Sequence, residues 1–316
     1  MKVAGSVLDV IGSTPMVKMN RIAAGLDREI LVKLEFLNPS GSLKDRIARY
    51  IVDEAERLGR LTEGAVIVEA TTGNTGVAFA MVAAVKGYRM IVVMPEGMSE
   101  ERKKTIRAYG AELVFTPGSE SDVDLCLKKL EELKRTIPCV WVPAQFSNLD
   151  NVRAHEETTG KEIIDQTGGR FEALVAGVGT GGTLTGVARA IRKKIPGVKI
   201  VAVEPAECPV LSGGRKGSHR IEGIGDGFIP EILDMSLVDE VIRVSDTDAI
   251  RMARRLASEE GIFAGISSGA NVKAALDLAK TLPKDSRIVT LAPDSGMRYF
   301  STDLCKFDER TSACCP

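Results

Sequence analysis

The sequence of 316 residues has almost no excess of charge of either sign, since 42 Lys and Arg residues oppose 43 Asp and Glu residues. It contains neither a basic stripe of the kind that binds nucleic acid nor a polybasic run of the kind that binds membranes. Its longest apolar runs have the length of a strand, and its first residues lack the apolar core and cleavage site of a signal peptide. These absences predict a cytoplasmic protein that binds neither nucleic acid nor a membrane.

The cysteines show no recognisable framework. The sequence has six of them, with no C-x-x-C pair and no histidine at zinc-ligand spacing, so neither a metal site nor a set of disulfides is expected. The adjacent Cys314 and Cys315 are interpreted as part of a frayed tail rather than as a redox or metal-binding pair.

Short apolar segments alternate with amphipathic ones along the chain. The strand candidates, from "EILVKLE" to "RIVTLAP", are rich in β-branched residues and apolar on both faces, as covered parallel strands are. "SLKDRIARYIVDEAERLG" carries the capping-box pattern Ser42-x-x-Asp45 and stops at Gly59, which predicts a helix. We therefore expect an α/β fold with two doubly wound domains and mainly parallel sheets, divided at "PAQFSNLDN" into residues 1–147 and 148–316.

A glycine-rich turn in "ALVAGVGTGGTLTG" separates a strand segment from a helical one. Gly177, Gly179 and Gly182 have the spacing of a dinucleotide fingerprint, and Glu204 ends the next apolar run where a ribose-binding acid would stand. This spacing favours an NAD-dependent dehydrogenase. The same turn also suits a smaller ligand, because free N–H groups at a helix N-terminus bind any phosphate monoester.

Three further turns of small residues border predicted strands or helices, namely "NPSGSLKDR", "TTGNTG" and "AGISSGA". Four such turns exceed what one dinucleotide needs. One of them places Lys44 at the start of a helix, where the positive end of the helix dipole disfavours an ammonium and lowers its pKa. A neutral amine at this position can act as a nucleophile and as a base.

Together these motifs resemble the cysteine synthase (O-acetylserine sulfhydrylase) branch of the fold-type II pyridoxal-phosphate enzymes. The resemblance rests on "NPSGSLKDR", "EATTGNTGVAFA", "HEETTGKEI", "GVGTGGTLTGVAR", "EGIGDGFIP", "GISSGAN" and "APDSGMRYFST", which span nearly the whole chain. It implies that Lys44 forms the Schiff base with pyridoxal 5'-phosphate, that Asn74 contacts the phenolate oxygen and that Ser268 faces the pyridine nitrogen. It also implies that the turn holds the cofactor phosphate, through Gly179, Thr180, Gly181, Gly182 and Thr183.

The resemblance further implies a substrate site and a reaction. The residues expected to bind the amino-acid substrate are Thr71, Thr72, Gly73, Thr75, Gln145 and Gly225. Lys44 would remove the Cα proton of O-acetyl-L-serine, acetate would leave to give an aminoacrylate, and sulfide would add to form L-cysteine. The resemblance also implies a homodimer that can receive the C-terminal tail of serine acetyltransferase.

The chain departs from this family's pattern at "EGIGDGF", where cysteine synthases typically read "QGIGAGF". Two acids, Glu222 and Asp226, are therefore expected beside the substrate entrance. The glutamate is shared with cystathionine β-synthases, and the nearby basic cluster "GGRKGSHR" could bind the phosphate of O-phosphoserine, so both activities remain alternatives. We expect the acids to decide the choice in favour of O-acetylserine. His155 is interpreted as a helix-packing residue.

Overall fold

The computed structural model describes residues 3–118 and 122–306, in which strands and helices alternate along the chain. The strands are Met16–Lys18 (β1), Glu29–Leu34 (β2), Val66–Ala70 (β3), Arg89–Pro95 (β4), Glu112–Thr116 (β5), Val140–Trp141 (β6), Ala173–Gly177 (β7), Lys199–Pro205 (β8), Glu240–Val244 (β9) and Arg287–Ala292 (β10). The helices are Lys44–Arg57 (α1), Asn74–Lys86 (α2), Glu100–Ala108 (α3), Val123–Thr136 (α4), Leu149–Ala154 (α5), Gly160–Thr167 (α6), Gly182–Lys194 (α7), Asp246–Glu260 (α8) and Ile266–Ala279 (α9). A π-helical turn, His155–Thr159, joins α5 to α6.

The smaller sheet contains four parallel strands in the order β5, β4, β3 and β6. Successive side chains of a strand point to opposite faces. In β3, Ile67 therefore packs with α1 and α2, whereas Val68 packs with Cys126 and Leu130 of α4. Because both faces are covered, these strands appear in the sequence as continuous apolar runs.

The larger sheet contains six strands in the order β1, β2, β10, β7, β8 and β9, and only β1 is antiparallel to its neighbour. In β7, Val175 belongs to the core formed with α8 and α9, and Leu174 belongs to the core formed with α7 on the opposite face. This arrangement confirms the predicted α/β fold of two domains with mainly parallel sheets.

The structure corrects the expected sheet membership of the first strands. The sequence assigns residues 1–147 to the first domain, but β2 pairs with β10 along its whole length, from Glu29 opposite Arg287 to Leu34 opposite Ala292. A hydrophobic pattern shows that a segment is a strand but does not show which distant strand lies beside it. β1, with three half-buried or exposed residues, was too short to give a strand signal. The division of the remaining chain near residue 147 stays a prediction.

The start of α1 also differs from the expected capping box. The Ser42 hydroxyl accepts a hydrogen bond from the backbone N–H of Lys44 at 3.3 Å, but the helix begins after Leu43, whose side chain makes no cap. Asp45 instead accepts hydrogen bonds from the backbone N–H of Ser40, at 2.7 Å, and from its hydroxyl. The carboxylate thus fixes the turn before the helix, and the turn places Lys44 as the first helical residue.

The sequence also led to expectations about the cysteines and about membrane binding. The cysteines within the described residues are all free thiols, namely Cys126, Cys139, Cys208 and Cys305, while Cys314 and Cys315 lie outside the described residues. In the part of the chain that the structure describes, no helix is long and apolar enough to cross a membrane.

Candidate active site

A cleft opens at the carboxyl ends of the parallel strands, between the two sheets. This is the edge at which ligands of doubly wound sheets bind. The predicted residues that line the cleft are Lys44, Thr71, Thr72, Asn74, Thr75, Gln145 and Thr180. The fold thus brings together residues from segments that are far apart in the sequence.

Lys44 lies where this cleft meets a second, smaller cavity, which is lined by the glycine-rich turn. Leu43, Thr180, Gly223 and Pro293 border both cavities with it. The lysine is half-buried and lines both cavities. It therefore lies between a site suited to a phosphate and a site suited to an amino acid.

The glycine-rich turn lines the second cavity through Gly179, Thr180, Gly181 and Thr183. Two positions of this turn require glycine, one because a side chain would clash and one because of its backbone conformation. A Cβ on Gly179 would lie 2.5 Å from the carbonyl oxygen of Gly223, and Gly181 has a φ of +82°, in the left-handed region. Gly182 begins α7, whose first N–H groups have no partner within the helix. The turn therefore forms a compact anion site.

Two residues that the sequence did not single out as site residues hold this turn. Asn151 of α5 donates hydrogen bonds to the hydroxyl of Thr180, at 3.0 Å, and to the carbonyl oxygen of Gln145, at 2.9 Å. Its side chain packs so closely against Gly182 that a Cβ there would lie 2.0 Å from the Asn151 amide oxygen. Asn271 of α9 accepts a hydrogen bond from the backbone N–H of Gly177 at 2.7 Å. Both asparagines lie in or beside motifs quoted from the sequence. This position was the signal by which they could have been found.

His155, interpreted from the sequence as a packing residue, is fully buried and also makes a polar contact to the turn. Its Nε2 lies 3.1 Å from the Thr183 hydroxyl and its Nδ1 lies 2.9 Å from the Thr159 hydroxyl. Burial lowers the pKa of His155 well below its ordinary value, and the charges of Lys44 and Arg46 lower it further. The neutral ring therefore orients the Thr183 hydroxyl.

The loop between β3 and α2 lines the other side of the cleft. Its Thr71 hydroxyl accepts a hydrogen bond from the backbone N–H of Gly73 at 3.0 Å, and Thr75 donates to the side-chain carbonyl of Gln145 at 2.6 Å. Gln145 in turn donates to the carbonyl oxygen of Ala70 at 3.0 Å. Gln145 thus braces the loop from the neighbouring strand end.

A buried charge cluster that the sequence did not predict lies behind this loop. Arg102 of α3 donates to Asp294 at 3.3 Å and to the Tyr299 hydroxyl at 2.8 Å, and it also contacts Glu222. A Cβ on Gly73 would lie 2.2 Å from the Arg102 side chain, so the loop needs a glycine there. In the sequence Arg102 looks like one more charged residue of an amphipathic helix, and no local pattern indicates its partners.

The two unusual acids have different environments. Burial raises the pKa of Glu222, and its pairing with Arg102 opposes this shift. Asp226 is also buried and lines the cleft, where burial raises its pKa to about 6 against the attraction of Lys44. Asp226 therefore lines the cleft as expected, whereas Glu222 does not line it and pairs with Arg102, which does.

The basic cluster does not cover the cleft. Arg220 pairs with Asp246 and Asp303, and Lys216 pairs with Asp122 and Asp124. His219 is buried, with its Nε2 2.8 Å from the carbonyl oxygen of Gly225.

Gly225, expected to bind substrate, is a support of the loop rather than part of the cleft lining. Its backbone N–H donates to the carbonyl oxygen of Val178 at 2.9 Å. With its carbonyl held by His219, the glycine fixes the chain between Gly223 and Asp226, which do line the cleft.

The sequence profile of pyridoxal-phosphate-dependent enzymes matches residues 7–294. The chain belongs to this family. A cysteine synthase of Staphylococcus aureus strain N315 is 47% identical over 309 residues, which cover 98% of this chain and 99% of the relative. A solved hydrogen sulfide-producing enzyme of Fusobacterium nucleatum is 46% identical, with a TM-score of 0.91 over 94% of this chain and 100% of that one. A cysteine synthase of Entamoeba histolytica is 41% identical, with a TM-score of 0.92 over 98% of this chain and 92% of that one.

Membership in the pyridoxal-phosphate-dependent family confirms the predicted resemblance and cofactor and decides against a nicotinamide dinucleotide. Glu204, which a dinucleotide would need for its ribose, is used within the protein. It accepts hydrogen bonds from the backbone N–H of Leu211, at 2.7 Å, and from the Ser212 hydroxyl.

The site also fits pyridoxal phosphate by its own chemistry. The hydroxyl of Ser268 is buried and has no hydrogen-bonding partner among the described residues, whereas buried hydroxyls are normally paired. A heterocyclic nitrogen would supply the missing partner. The glycine-rich turn and Lys44 line the cavities. Ser268 is not among the lining residues, and the serine that borders the cleft is its neighbour Ser267.

Proposed function

We propose that this enzyme makes L-cysteine by β-replacement, exchanging the acetate of O-acetyl-L-serine for sulfide. The observation that carries the proposal is the position of Lys44, between the phosphate turn and the loop that begins at Thr71. The cysteine synthase relative, at 47% identity over nearly the whole chain, supports the choice of substrates.

The proposed cofactor contacts divide between the two cavities. The phosphate would be held by the turn residues Gly179, Thr180, Gly181, Gly182 and Thr183, with Lys44 as the covalent attachment, Asn74 beside the phenolate oxygen and Ser268 at the ring nitrogen. Bound pyridoxal phosphate supplies the electron sink that acidifies the substrate Cα–H bond. Because Ser268 is a neutral hydroxyl, it supports an unprotonated ring nitrogen.

The chain's own groups would position the substrate and move its proton. The α-carboxylate would bind in the concave nest formed by Thr71, Thr72, Gly73 and Thr75. The Gly73 N–H and the Thr75 hydroxyl shape this nest, because they already donate to Thr71 and to Gln145. Lys44 then lies within the cleft to accept the Cα proton and later to return it.

A second candidate function is the release of hydrogen sulfide from L-cysteine. The specific observation in its favour is the relative of known structure that is named a hydrogen sulfide-producing enzyme. This activity would use the same Lys44 and the same carboxylate loop, with sulfide as the leaving group.

The deciding experiment starts from the purified holoenzyme, whose visible absorption reports the bound cofactor. O-acetylserine alone should perturb the spectrum, and sulfide should restore it with formation of cysteine. O-phosphoserine, L-serine and L-cysteine are then compared as donors by kcat/KM at low and moderate salt. We expect O-acetylserine to be preferred, because the basic residues Lys216 and Arg220 are paired elsewhere. A preference for O-phosphoserine, or faster sulfide release from cysteine, would overturn the proposal.

We also propose, on the same family resemblance, that the enzyme is a cytoplasmic homodimer and that its cleft can receive the C-terminal tail of serine acetyltransferase. Light scattering tests the dimer. A titration with a tail peptide, read as competition with O-acetylserine, tests the partner.

A further inference from the structure

Arg298 is a buried arginine that lines neither cavity and yet contacts two segments of the site. It lies in the short 3-10 helix Gly296–Tyr299 and is 8% exposed. Its guanidinium donates hydrogen bonds to Ser40 and Asn74, and it forms no ion pair with any carboxylate of the residues that the structure describes. Buried charges are normally paired, so a missing counter-charge points to a functional role.

The hydrogen bonds of Arg298 join the segment before Lys44 to the start of α2. One guanidinium nitrogen donates to the amide oxygen of Asn74 at 2.5 Å. The other donates to the backbone carbonyl of Ser40 and, at 3.4 Å, to its hydroxyl. Gly41 packs against the same guanidinium, since a Cβ on this glycine would lie 3.4 Å from it. Arg298 therefore fixes the turn that precedes Lys44 relative to the side chain of Asn74.

These contacts determine which end of the Asn74 amide faces the cavities. The amide oxygen accepts hydrogen bonds from Arg298 and, at 3.3 Å, from Arg102. The amide nitrogen donates one of its two hydrogens to Asp294 at 2.7 Å. This nitrogen lies toward Gly223, which lines both cavities, because a Cβ on that glycine would be 3.9 Å from it. The second N–H is therefore available to a ligand of the cavities.

The charges that act on Arg298 come from three segments. Burial lowers its pKa, Asp294 opposes this shift, and Arg102 of α3 lowers the pKa further. Asp45 of α1 and Tyr299 oppose the shift as well. A guanidinium nevertheless keeps its proton in proteins. Arg298 thus places a permanent positive charge on the oxygen side of the amide, which polarises the amide and strengthens its N–H groups as donors.

In the proposed function the amide of Asn74 lies beside the phenolate oxygen of the cofactor. We infer that Arg298 is a positioning residue, which holds this amide with its N–H toward that oxygen and polarises it, so that the oxygen stays anionic. The proton of the Schiff base then remains on the nitrogen that Lys44 provides, where it activates the C=N bond toward the amine of an incoming substrate. The inference rests on the proposed function, because it uses the same cofactor contact.

The test measures the absorption of the holoenzyme without substrate. Pyridoxal phosphate bound to a lysine absorbs visible light when its ring oxygen is anionic and near-ultraviolet light when that oxygen is protonated. In Arg298→Met the ratio of the near-ultraviolet to the visible band should rise about tenfold or more, as for the loss of a hydrogen bond to a charged group. Arg298→Lys keeps a charged donor and should recover part of this change.

Two controls separate positioning from a general loss of structure. Arg28→Met removes a guanidinium that also donates to backbone carbonyls, those of Leu282 and Pro283, but that lines neither cavity, and it should leave the band ratio unchanged. In an Asn74→Ala background, Arg298→Met should change the ratio less than about threefold, because its effect passes through the amide. If Arg298→Met binds no cofactor, Arg298→Lys carries the same test, and its ratio should still exceed that of the wild type.

An unchanged ratio in the Arg298 variants, or an equal rise with and without Asn74, would overturn the inference. A wild-type ratio in Asn74→Ala would overturn the proposed contact with the ring oxygen, and the inference with it. Absence of cysteine formation from O-acetylserine and sulfide in the wild type would instead overturn the proposed function, because the band ratio is measured without substrate and decides the inference by itself.

Discussion

The side-chain amide of Asn74, at the start of α2, donates a 2.7 Å hydrogen bond to the carboxylate of Asp294, which follows the last strand of the other sheet. Asp294 is fully buried and also accepts hydrogen bonds from the Tyr299 hydroxyl, at 2.7 Å, and from Arg102. The residue expected to contact the cofactor is therefore oriented by a charge cluster that joins the two domains.

We expect Asp294→Ala to destabilise the protein by about 3–5 kcal/mol, because it leaves Arg102 with part of its buried charge uncompensated. Tyr299→Phe removes two hydrogen bonds, one donated to Asp294 and one accepted from Arg102, but leaves the Asp294 carboxylate beside Arg102, so it should cost less, about 1–3 kcal/mol. Urea unfolding of both variants measures the difference. Equal, small losses would mean that Glu222 alone compensates Arg102.

Lys44→Ala should reduce turnover of O-acetylserine by at least about 10³-fold, because it removes both the cofactor attachment and the proposed base. Steady-state assays with saturating cofactor measure the loss, and the exposed Lys161 provides the control substitution Lys161→Ala. A variant within tenfold of the wild-type kcat would show that another group removes the proton.

Ser268→Ala should have opposite effects on the cofactor-free and cofactor-loaded proteins. Without cofactor the buried hydroxyl has no partner among the described residues, so its removal should be neutral or slightly stabilising. With cofactor the variant should lose roughly 1 kcal/mol of stabilisation, since a hydrogen bond to the ring is missing. Thermal unfolding of both forms tests this. The same shift in both would place the hydroxyl away from the ring.

Thr72→Ala and Gln145→Ala should weaken binding of O-acetylserine while leaving the cofactor spectrum intact. Loss of a hydrogen bond to a charged group costs roughly 1.5–3 kcal/mol, or about ten- to a hundredfold in affinity. Gln145→Ala should in addition lower the free energy of unfolding, because the amide bonds both Thr75 and Ala70. Spectral titration and urea unfolding separate the two effects. Unchanged affinity in both variants would place the carboxylate elsewhere.

The buried Glu69, at the end of β3, should make stability fall as pH rises. Burial raises its pKa from 4.5 to about 8, so between these values the folded state keeps a proton that the unfolded state has lost. Glu69→Gln should remove this component, which amounts to at most about 1.4 kcal/mol per pH unit. The variant should therefore gain stability relative to wild type between pH 5 and pH 8 when unfolding is followed across this range. A constant difference across these pH values would mean that Glu69 is ionised in the folded protein.

Local motifs predicted the parts of the site that depend on one segment. The glycine-rich turn and Lys44 were found because strand, turn and helix are consecutive, and the turn needs glycines for close approach. Asn151, Arg102 and Asp294 could not be assigned in this way, since their partners lie in distant segments. The expected capping box failed for a related reason. Asp45 satisfied the spacing, but Ser40 offered it a competing partner.

The pairing of β2 with β10 has a consequence for synthesis on the ribosome. Glu29 and Arg287, paired across these strands, are 258 residues apart, so at about 5–20 residues per second β2 waits roughly 10–50 s for its neighbour. The smaller sheet, whose strands all lie between Val66 and Trp141, can be completed during that time. The larger sheet cannot, because β2 can pair with β1 at once but its other edge stays unpaired until β10 has been synthesised. Nascent chains that stop before β10 should therefore expose this edge of β2 and aggregate.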